Sequence, residues 1–138
     1  MNRIFKFRVW HNTLNVFLAP GEWVIDLDGK LRFIDFGCLN GGEDSVVYPP
    51  ADEKLYVIQQ STGLKDKNGR EIYEGDVLEG QDTQTFYDKL FVRYEPDYGG
   101  YSFNYPFDSH NVWQHWFKQL SNLEIIGNIL ENPDLAKV

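Results

Sequence analysis

The stretch Thr62–Leu78, TGLKDKNGREIYEGDVL, contains the densest set of local folding signals in the chain. Asn68-Gly69 is a favoured pair for a tight turn, because both residues tolerate a positive φ that matches the twist of the flanking strands. Asp66 can accept hydrogen bonds from backbone N–H groups of that turn, which also suits a three-residue loop with Gly69 in the left-handed conformation. The segment Glu74-Gly75-Asp76 predicts a second reversal of the chain direction. The stretch therefore predicts a hairpin that leads into a further strand.

Asp66 also begins a segment that resembles the start of an EF-hand calcium loop. Such a loop needs oxygen ligands at its first, third and fifth positions, glycine at the sixth and glutamate at the twelfth. Counted from Asp66, the fifth, sixth and twelfth positions are Arg70, Glu71 and Val77. The calcium pattern fails, so these residues are interpreted as turn chemistry.

The same stretch, together with FKFRVW (Phe5–Trp10) and LEIIGNILENPDL (Leu123–Leu135), resembles the YopX family of bacteriophage and prophage proteins. The resemblance reaches from one end of the chain to the other, although residues 12–54 and 79–122 carry no matching motif. It implies a small, phage-encoded, mainly β protein whose biochemical role is not established. The family provides no catalytic residues that could be assigned to positions of this chain.

The composition predicts a folded protein. The chain has 138 residues, of which 42% are hydrophobic and 16% aromatic, enough for a core in one compact unit or two small subdomains. A single cysteine, Cys38, excludes an intrachain disulfide and a cysteine cluster for zinc. The N-terminus lacks a signal-peptide core, and no apolar run approaches the ~20 residues that span a bilayer. We expect a soluble, cytoplasmic protein with no membrane partner.

The net charge of −8 is concentrated in the second half of the chain. Residues 1–60 carry 6 basic and 8 acidic side chains, and residues 61–138 carry 7 and 13. Proteins that bind nucleic acid without sequence preference neutralise phosphates with Lys and Arg, so an acidic chain without a basic run argues against such a footprint. A solvated acidic surface explains the charge better than an imitation of DNA.

Alternating apolar residues in the first half predict a β-meander of short strands. Phe5, Phe7 and Val9 alternate with basic residues, and two later alternating runs flank a turn at Asp28-Gly29. This period of two is typical of strands that bury one face.

A change of composition predicts a boundary near the middle of the chain. Residues 37–54 are rich in Gly, Pro and acidic side chains, which is typical of a long loop. The loop contains a predicted short edge strand at residues 45–48, ended by Pro49. We therefore divide the chain into an N-terminal β subdomain (residues 1–60) and a C-terminal subdomain (residues 61–138).

The C-terminal subdomain predicts an SH3-like β-barrel with one short helix. Leu90, Val92 and Tyr94 alternate before a turn, and aromatic residues alternate after it, which predicts a hairpin whose aromatic row fills the barrel. Apolar residues between positions 110 and 121 recur at helical spacing and predict a helix that closes one end of the barrel.

Three aromatic residues are candidates for binding a partner, namely Tyr98, Trp113 and Trp116. Tyr98 lies in the predicted turn, where packing in a barrel explains it least. Tryptophan is common at the centre of interfaces, although the same two tryptophans also suit a barrel core. His110 and His115 are five residues apart rather than four, so they do not form a metal-binding pair on one helical face.

No metal site, cofactor or catalytic site is predicted, and the protein is not expected to be an enzyme. Asp26 and Asp28 are close in sequence, but turn chemistry explains them better than a metal. Cys38 has no histidine near it in sequence to activate it, so a packed or partly exposed thiol is expected. The chain contains no P-loop, HExxH, GxSxG or dinucleotide fingerprint. Carboxylates in the central stretch would need environments that separate their pKa values, which a sequence does not show.

The leading hypothesis is a phage accessory protein that acts through protein–protein contact and self-assembles into a homo-oligomer, with a host or phage protein as a further partner. The alternative is a nucleic-acid-binding module that stacks single-stranded bases on exposed aromatic residues of a barrel face. Strong salt dependence of binding to single strands would separate the second hypothesis from the first.

Overall fold

The computed structural model describes residues 5–35, 46–97, 99–104 and 120–136. The elements in these ranges are strands, followed by one short 3-10 helix, and the predicted mainly β class is confirmed. Among these residues, no helix has the length and apolar character needed to cross a bilayer. The strands are β1 (Phe7–His11), β2 (Val16–Phe17), β3 (Trp23–Ile25), β4 (Leu31–Asp35), β5 (Val46–Val47), β6 (Tyr56–Lys65), β7 (Glu71–Tyr73), β8 (Asp76–Gln81), β9 (Phe86–Glu95), β10 (Gly100–Asn104) and β11 (Ser121–Asn128), and the 3-10 helix is Pro133–Ala136.

The chain forms two compact units. Unit 1 consists of Met1–Phe7 and Gln59–Val138, and unit 2 consists of Arg8–Ile58. The boundaries of these units fall within β1 and within β6, and the predicted division into residues 1–60 and 61–138 stays a prediction. In the described ranges, three sheets have the strand orders β2-β1-β6-β7, β10-β9-β8-β11 and β3-β4-β5.

The core of unit 1 lies on one face of the sheet β10-β9-β8-β11. Register shifts interrupt the pairing of β8 with each of its neighbours, and the sheet curls into a half-barrel. The predicted hairpin is formed by β9 and β10, and Phe103 pairs with Val92 in the buried core. An SH3-like closure and an N-terminal meander stay predictions. The core residues are Ile72, Leu78, Leu90, Val92, Phe103 and Leu123.

The predicted helix near residues 110–121 falls largely outside the described residues. Of that segment, Leu120 has no regular structure and Ser121 begins β11. Tyr105 and Phe107 of the predicted aromatic row also lie outside the described ranges.

The central turn has the predicted three-residue form. Asp66 Oδ1 accepts hydrogen bonds from the N–H groups of Asn68 and Arg70, both at 2.9 Å. Gly69 has a φ of 80° and donates its N–H to the carbonyl of Asp66 at 3.0 Å. Only a residue that tolerates the left-handed region can close this turn without strain.

The same turn is hydrogen-bonded to β11. Asp66 Oδ2 accepts from the N–H of Ile125 at 3.2 Å, and the N–H of Lys67 donates to the carbonyl of Leu123 at 2.7 Å. Arg70 Nη2 donates to the carbonyl of Ile125 at 2.7 Å. Burial raises the pKa of the Asp66 carboxyl, but the N–H groups of Arg70, Ile125 and Asn68 outweigh that effect, so its pKa lies below the usual range.

A second reversal, at Gly75, adjoins a buried polar cluster. Asn128 Nδ2 donates to Gln59 Oε1 at 3.3 Å and to Asp76 Oδ1 at 3.2 Å. Asp76 Oδ2 accepts from the N–H of Tyr73 at 2.8 Å. Gly75 has a φ of 79°, and a Cβ at this position would collide with the amide of Gln59. Glycine is therefore favoured at position 75 for two reasons: the backbone has a positive φ there, and the side chains of the polar cluster occupy the space that a Cβ would need.

The core of unit 2 contains Val9, Trp10 and Leu31. Tyr56 contacts two aromatic rings there, with ring centroids 5.5 Å from Phe33 and 4.9 Å from His11. Such tilted and edge-on pairs add about 0.5–1.5 kcal/mol beyond the area they bury.

Replacing Asp66 tests the connection to β11. In Asp66→Asn, an NH2 group replaces one carboxylate oxygen. At the Oδ2 position this group would face other hydrogen-bond donors, because the N–H of Ile125 and Nε of Arg70 both point to Oδ2. We expect the free energy of unfolding in urea to fall by about 2 kcal/mol. Asp26→Asn is the matched control, since Asp26 closes the same kind of turn but its Oδ2 meets the side chain of Arg32. Equal losses for the two variants would contradict the connection.

The same carboxylate predicts sensitivity to acid. Because the pKa of Asp66 is lower in the folded chain than in the unfolded chain, its stabilisation is complete above the unfolded value of about 4 and is lost as pH falls through the folded value. The difference in unfolding free energy between the wild type and Asp66→Asn should therefore shrink between about pH 7 and about pH 2. A difference that stays constant over this range would contradict the assignment.

Two alanine substitutions separate backbone strain from collision. Gly63 and Gly75 have φ values of 80° and 79°, but an added Cβ meets nothing within 4 Å at Gly63. Gly63→Ala should cost about 1–2 kcal/mol, for the left-handed conformation alone. Gly75→Ala should cost about 1–3 kcal/mol more, since Gln59 must also move. Thermal unfolding of both variants measures the difference, and similar costs would show that the cluster yields freely.

Candidate functional site

The predicted partner-binding residues Tyr98, Trp113 and Trp116 lie outside the described residues, so their roles stay predictions. The same is true of the predicted interpretations of Cys38, His110 and His115, which are also outside these ranges. Within the described ranges, no group of three or more His, Cys, Asp and Glu side chains could hold a metal ion. The candidate binding sites formed by the described residues are apolar surfaces. The three-stranded sheet of unit 2 presents one of them.

The hairpin of β3 and β4 repeats the turn of the central stretch. Asp26 Oδ1 accepts hydrogen bonds from the N–H groups of Asp28 and Lys30, both at 2.9 Å, and Gly29 has a φ of 77°. The segments DLDGK and DKNGR thus share one hydrogen-bonding pattern. Asp26 uses its carboxylate to close the turn, in agreement with the predicted turn chemistry.

Strand register gives the sheet β3-β4-β5 an inner and an outer face. The inner pairs are Trp23 with Phe33 and Ile25 with Leu31. Leu31 is buried, and alternation directs the residues between these pairs to the opposite side. The inner side therefore belongs to the core of unit 2.

The outer face consists of Val24, Arg32, Ile34 and Val47. Val24 pairs with Arg32 across β3 and β4, and Ile34 pairs with Val47 across β4 and β5. Since Arg32 and Ile34 are two residues apart on one strand, all four side chains lie on the same side. Val24 is 39% exposed and Val47 is 56% exposed. The carbonyl of Glu22 accepts the N–H of Ile34 at 2.9 Å, which continues the same register and places the exposed Glu22 beside Ile34. The face thus presents three aliphatic side chains, one cation and one carboxylate.

The cation on this face is neutralised within the hairpin. Arg32 Nε donates to Asp26 Oδ2 at 2.7 Å. This hydrogen bond is the largest cause that holds the pKa of Asp26 below its usual range. The outer face therefore combines three aliphatic side chains with an internally compensated ion pair at one end and the Glu22 carboxylate beside Ile34.

Among the strands of the described residues, β5 is the last one in the order β3-β4-β5. Its residues and the one that follows are apolar and about half exposed: Val46 at 50%, Val47 at 56% and Tyr48 at 47%. Pro49 comes next and cannot donate a hydrogen bond to a neighbouring strand. The predicted edge strand is thus present, and it is two residues long.

Basic side chains elsewhere in the described chain also face carboxylates. A cation that already pairs with a carboxylate must break that ion pair before it can bind a phosphate. These paired side chains therefore do not form a basic surface for nucleic acid. The pairs are Lys6–Glu71, Lys30–Glu53, Arg32–Asp26, Lys67–Glu124 and Arg70–Asp66.

Sequence reasoning identified the edge strand but not the outer face. The signal for the strand was local, since two valines precede Pro49. The pairing of Ile34 with Val47 joins residues on either side of a long loop, and no pattern in the sequence sets that register.

Comparison with known proteins gives consistent matches over almost the whole chain. The family model described as YopX protein matches residues 6–137. The crystal structure of protein EF1440 from Enterococcus faecalis is similar over 99% of this chain and 100% of its own, with 28% identity and a TM-score of 0.60. YopX from Bacillus subtilis is similar over 94% and 95%, with 16% identity and a TM-score of 0.61. The comparison with curated proteins gives no match.

Proposed function

The chain belongs to the YopX family, and we propose that it is a phage- or prophage-encoded accessory protein that acts through contact with other proteins, including copies of itself. The observation that supports this function is the outer face of unit 2, where Val24, Ile34 and Val47 lie side by side on a sheet surface. Exposed aliphatic neighbours support the proposal as one part of a larger contact, because apolar patches of a few hundred Å² also occur on monomeric proteins.

The size of the outer face favours a weak contact or a contact that includes further residues. Strands are about 4.8 Å apart and residues about 3.4 Å apart along a strand, so three short strands present on the order of 200 Å². A stable interface needs about 800 Å² from each partner. The predicted anchors Trp113 and Trp116 are the residues that we propose to supply additional area.

Three finer points belong to the same proposal. The curled sheet of unit 1 is proposed to complete an SH3-like barrel, and the strands of the N-terminal region to form a meander. The protein is proposed to work in the cytoplasm, with a host or phage protein as its further partner. It is proposed to bind without catalysing a reaction.

A charge on the outer face tests the proposed function. Val24→Glu places a carboxylate opposite Arg32, where an opposite charge supports the strand pair, while it interrupts the apolar surface. Val16→Glu is the matched control, because Val16 is 47% exposed on β2 in the same unit. Tagged proteins would be recovered from phage-infected cells, with bound proteins quantified by mass spectrometry. We expect Val24→Glu to recover about tenfold less of the specifically bound proteins, which corresponds to a loss of about 1–2 kcal/mol of binding free energy. Val16→Glu should recover them at the wild-type level.

Two results would contradict the proposal. One is equal recovery of bound proteins by Val24→Glu and by the wild type. The other is salt-dependent binding of a single-stranded oligonucleotide by the wild type, which would support the nucleic-acid alternative instead.

A further inference from the structure

The backbone register of β5 determines which of its polar groups face outward. The N–H of Tyr48 donates to the carbonyl of Phe33 at 3.0 Å. In an antiparallel ladder, hydrogen-bonded and non-hydrogen-bonded pairs alternate, so the adjacent pair of Ile34 and Val47 is of the second kind. The N–H and C=O of Val47 therefore point away from β4, in the plane of the sheet.

One outward-facing residue is sufficient for a symmetric pair. If two copies of β5 run antiparallel about a twofold axis at Val47, each Val47 N–H donates to the carbonyl of the other Val47. A register that placed Pro49 opposite Val47 would lose a hydrogen bond, because Pro49 has no N–H to exchange. The register centred on Val47 therefore forms two reciprocal hydrogen bonds without a proline opposite Val47.

The side chains at this edge suit a second copy of the chain. Val46 of one copy would lie opposite Tyr48 of the other, and aromatic–β-branched pairs stabilise adjacent strands. No charged residue lies within residues 46–48, so two chains of net charge −8 can meet there without directly opposed charges. A longer extended peptide would form few additional backbone hydrogen bonds with this edge compared with a second copy of β5, because the strand ends at Pro49.

We propose that two copies of this protein associate edge to edge through β5, with Val47 at the twofold axis. The pairing rests on the proposed function, since it specifies the self-association included there. It joins the two sheets in the order β3-β4-β5-β5-β4-β3. Alternation then places both copies of Val24, Ile34 and Val47 on the same side of the joined sheet, which doubles the apolar area available to a further partner.

The first test removes the outward N–H. Val47→Pro deletes no bond to β4, because the Val47 N–H faces away from that strand, and proline is tolerated at such edge positions. Val47→Thr is the matched control, since it keeps the N–H and the β-branched shape. Sedimentation equilibrium between about 10 μM and about 1 mM covers the weak affinities expected of a small interface. We expect a dimer for the wild type and for Val47→Thr, and at least a tenfold weaker dimer for Val47→Pro.

The second test does not depend on proline. In a Cys38→Ser background, Val47→Cys would place two cysteines in a hydrogen-bonded pair, with Cα atoms about 5.5 Å apart, within the range of about 4.4–6.8 Å that a disulfide spans. Val46→Cys is about as exposed, but Val46 lies opposite Tyr48, so its own copy is at least about 7 Å away. We expect Val47→Cys to form covalent dimers at least tenfold faster under mild oxidation.

The outcomes separate this pairing from the proposed function. A monomeric wild type up to about 1 mM, or equal disulfide rates for the two cysteine variants, overturns the β5 pairing. A dimer that Val47→Pro leaves unchanged also overturns it. In each case the recovery of bound proteins by Val24→Glu and Val16→Glu decides the proposed function independently.

Discussion

One buried carboxylate connects the local and the long-range structure of unit 1. Asp66 closes a turn with one oxygen and accepts the N–H of Ile125, 59 residues later, with the other. Removing a carboxylate from water is costly, and only an environment rich in donors offsets that cost. Because the Ile125 donor faces Asp66 only when β11 is in place, the turn and the strand stabilise each other. Leu123, at the start of this contact, belongs to the core, so the packing of the half-barrel depends on the same alignment.

The two units use the same turn for different purposes. In DLDGK and DKNGR, the first aspartate accepts hydrogen bonds from the second and fourth residues after it. The remaining oxygen makes the difference. Asp26 contacts the side chain of Arg32 within its own hairpin, whereas Asp66 contacts the backbone of a distant strand. A hairpin of the first kind is complete by itself, and one of the second kind is complete only when the rest of its unit has folded.

The sequence was most informative where structure is local. The turn at Asp66, the left-handed Gly69 and the strand ended by Pro49 could be read from neighbouring residues, because a turn type limits which residues fit it. The contact of Asn128 with Gln59 and Asp76 joins three distant segments, and no local preference encodes it. The same applies to the outer face, which exists only because β5 returns to β4. The family resemblance, which rested on the two long motifs and the N-terminal segment, is confirmed over residues 6–137.

The proline after β5 also bears on behaviour at high concentration. Exposed sheet edges can recruit further chains without limit and lead to fibrous aggregates. Here the described edge is two residues long and ends at Pro49, and Pro50 follows it. Within the described part of this edge, Val47 offers one outward N–H, and the two prolines that follow offer none. The proline pair therefore limits how far a further chain could pair along this side of the sheet.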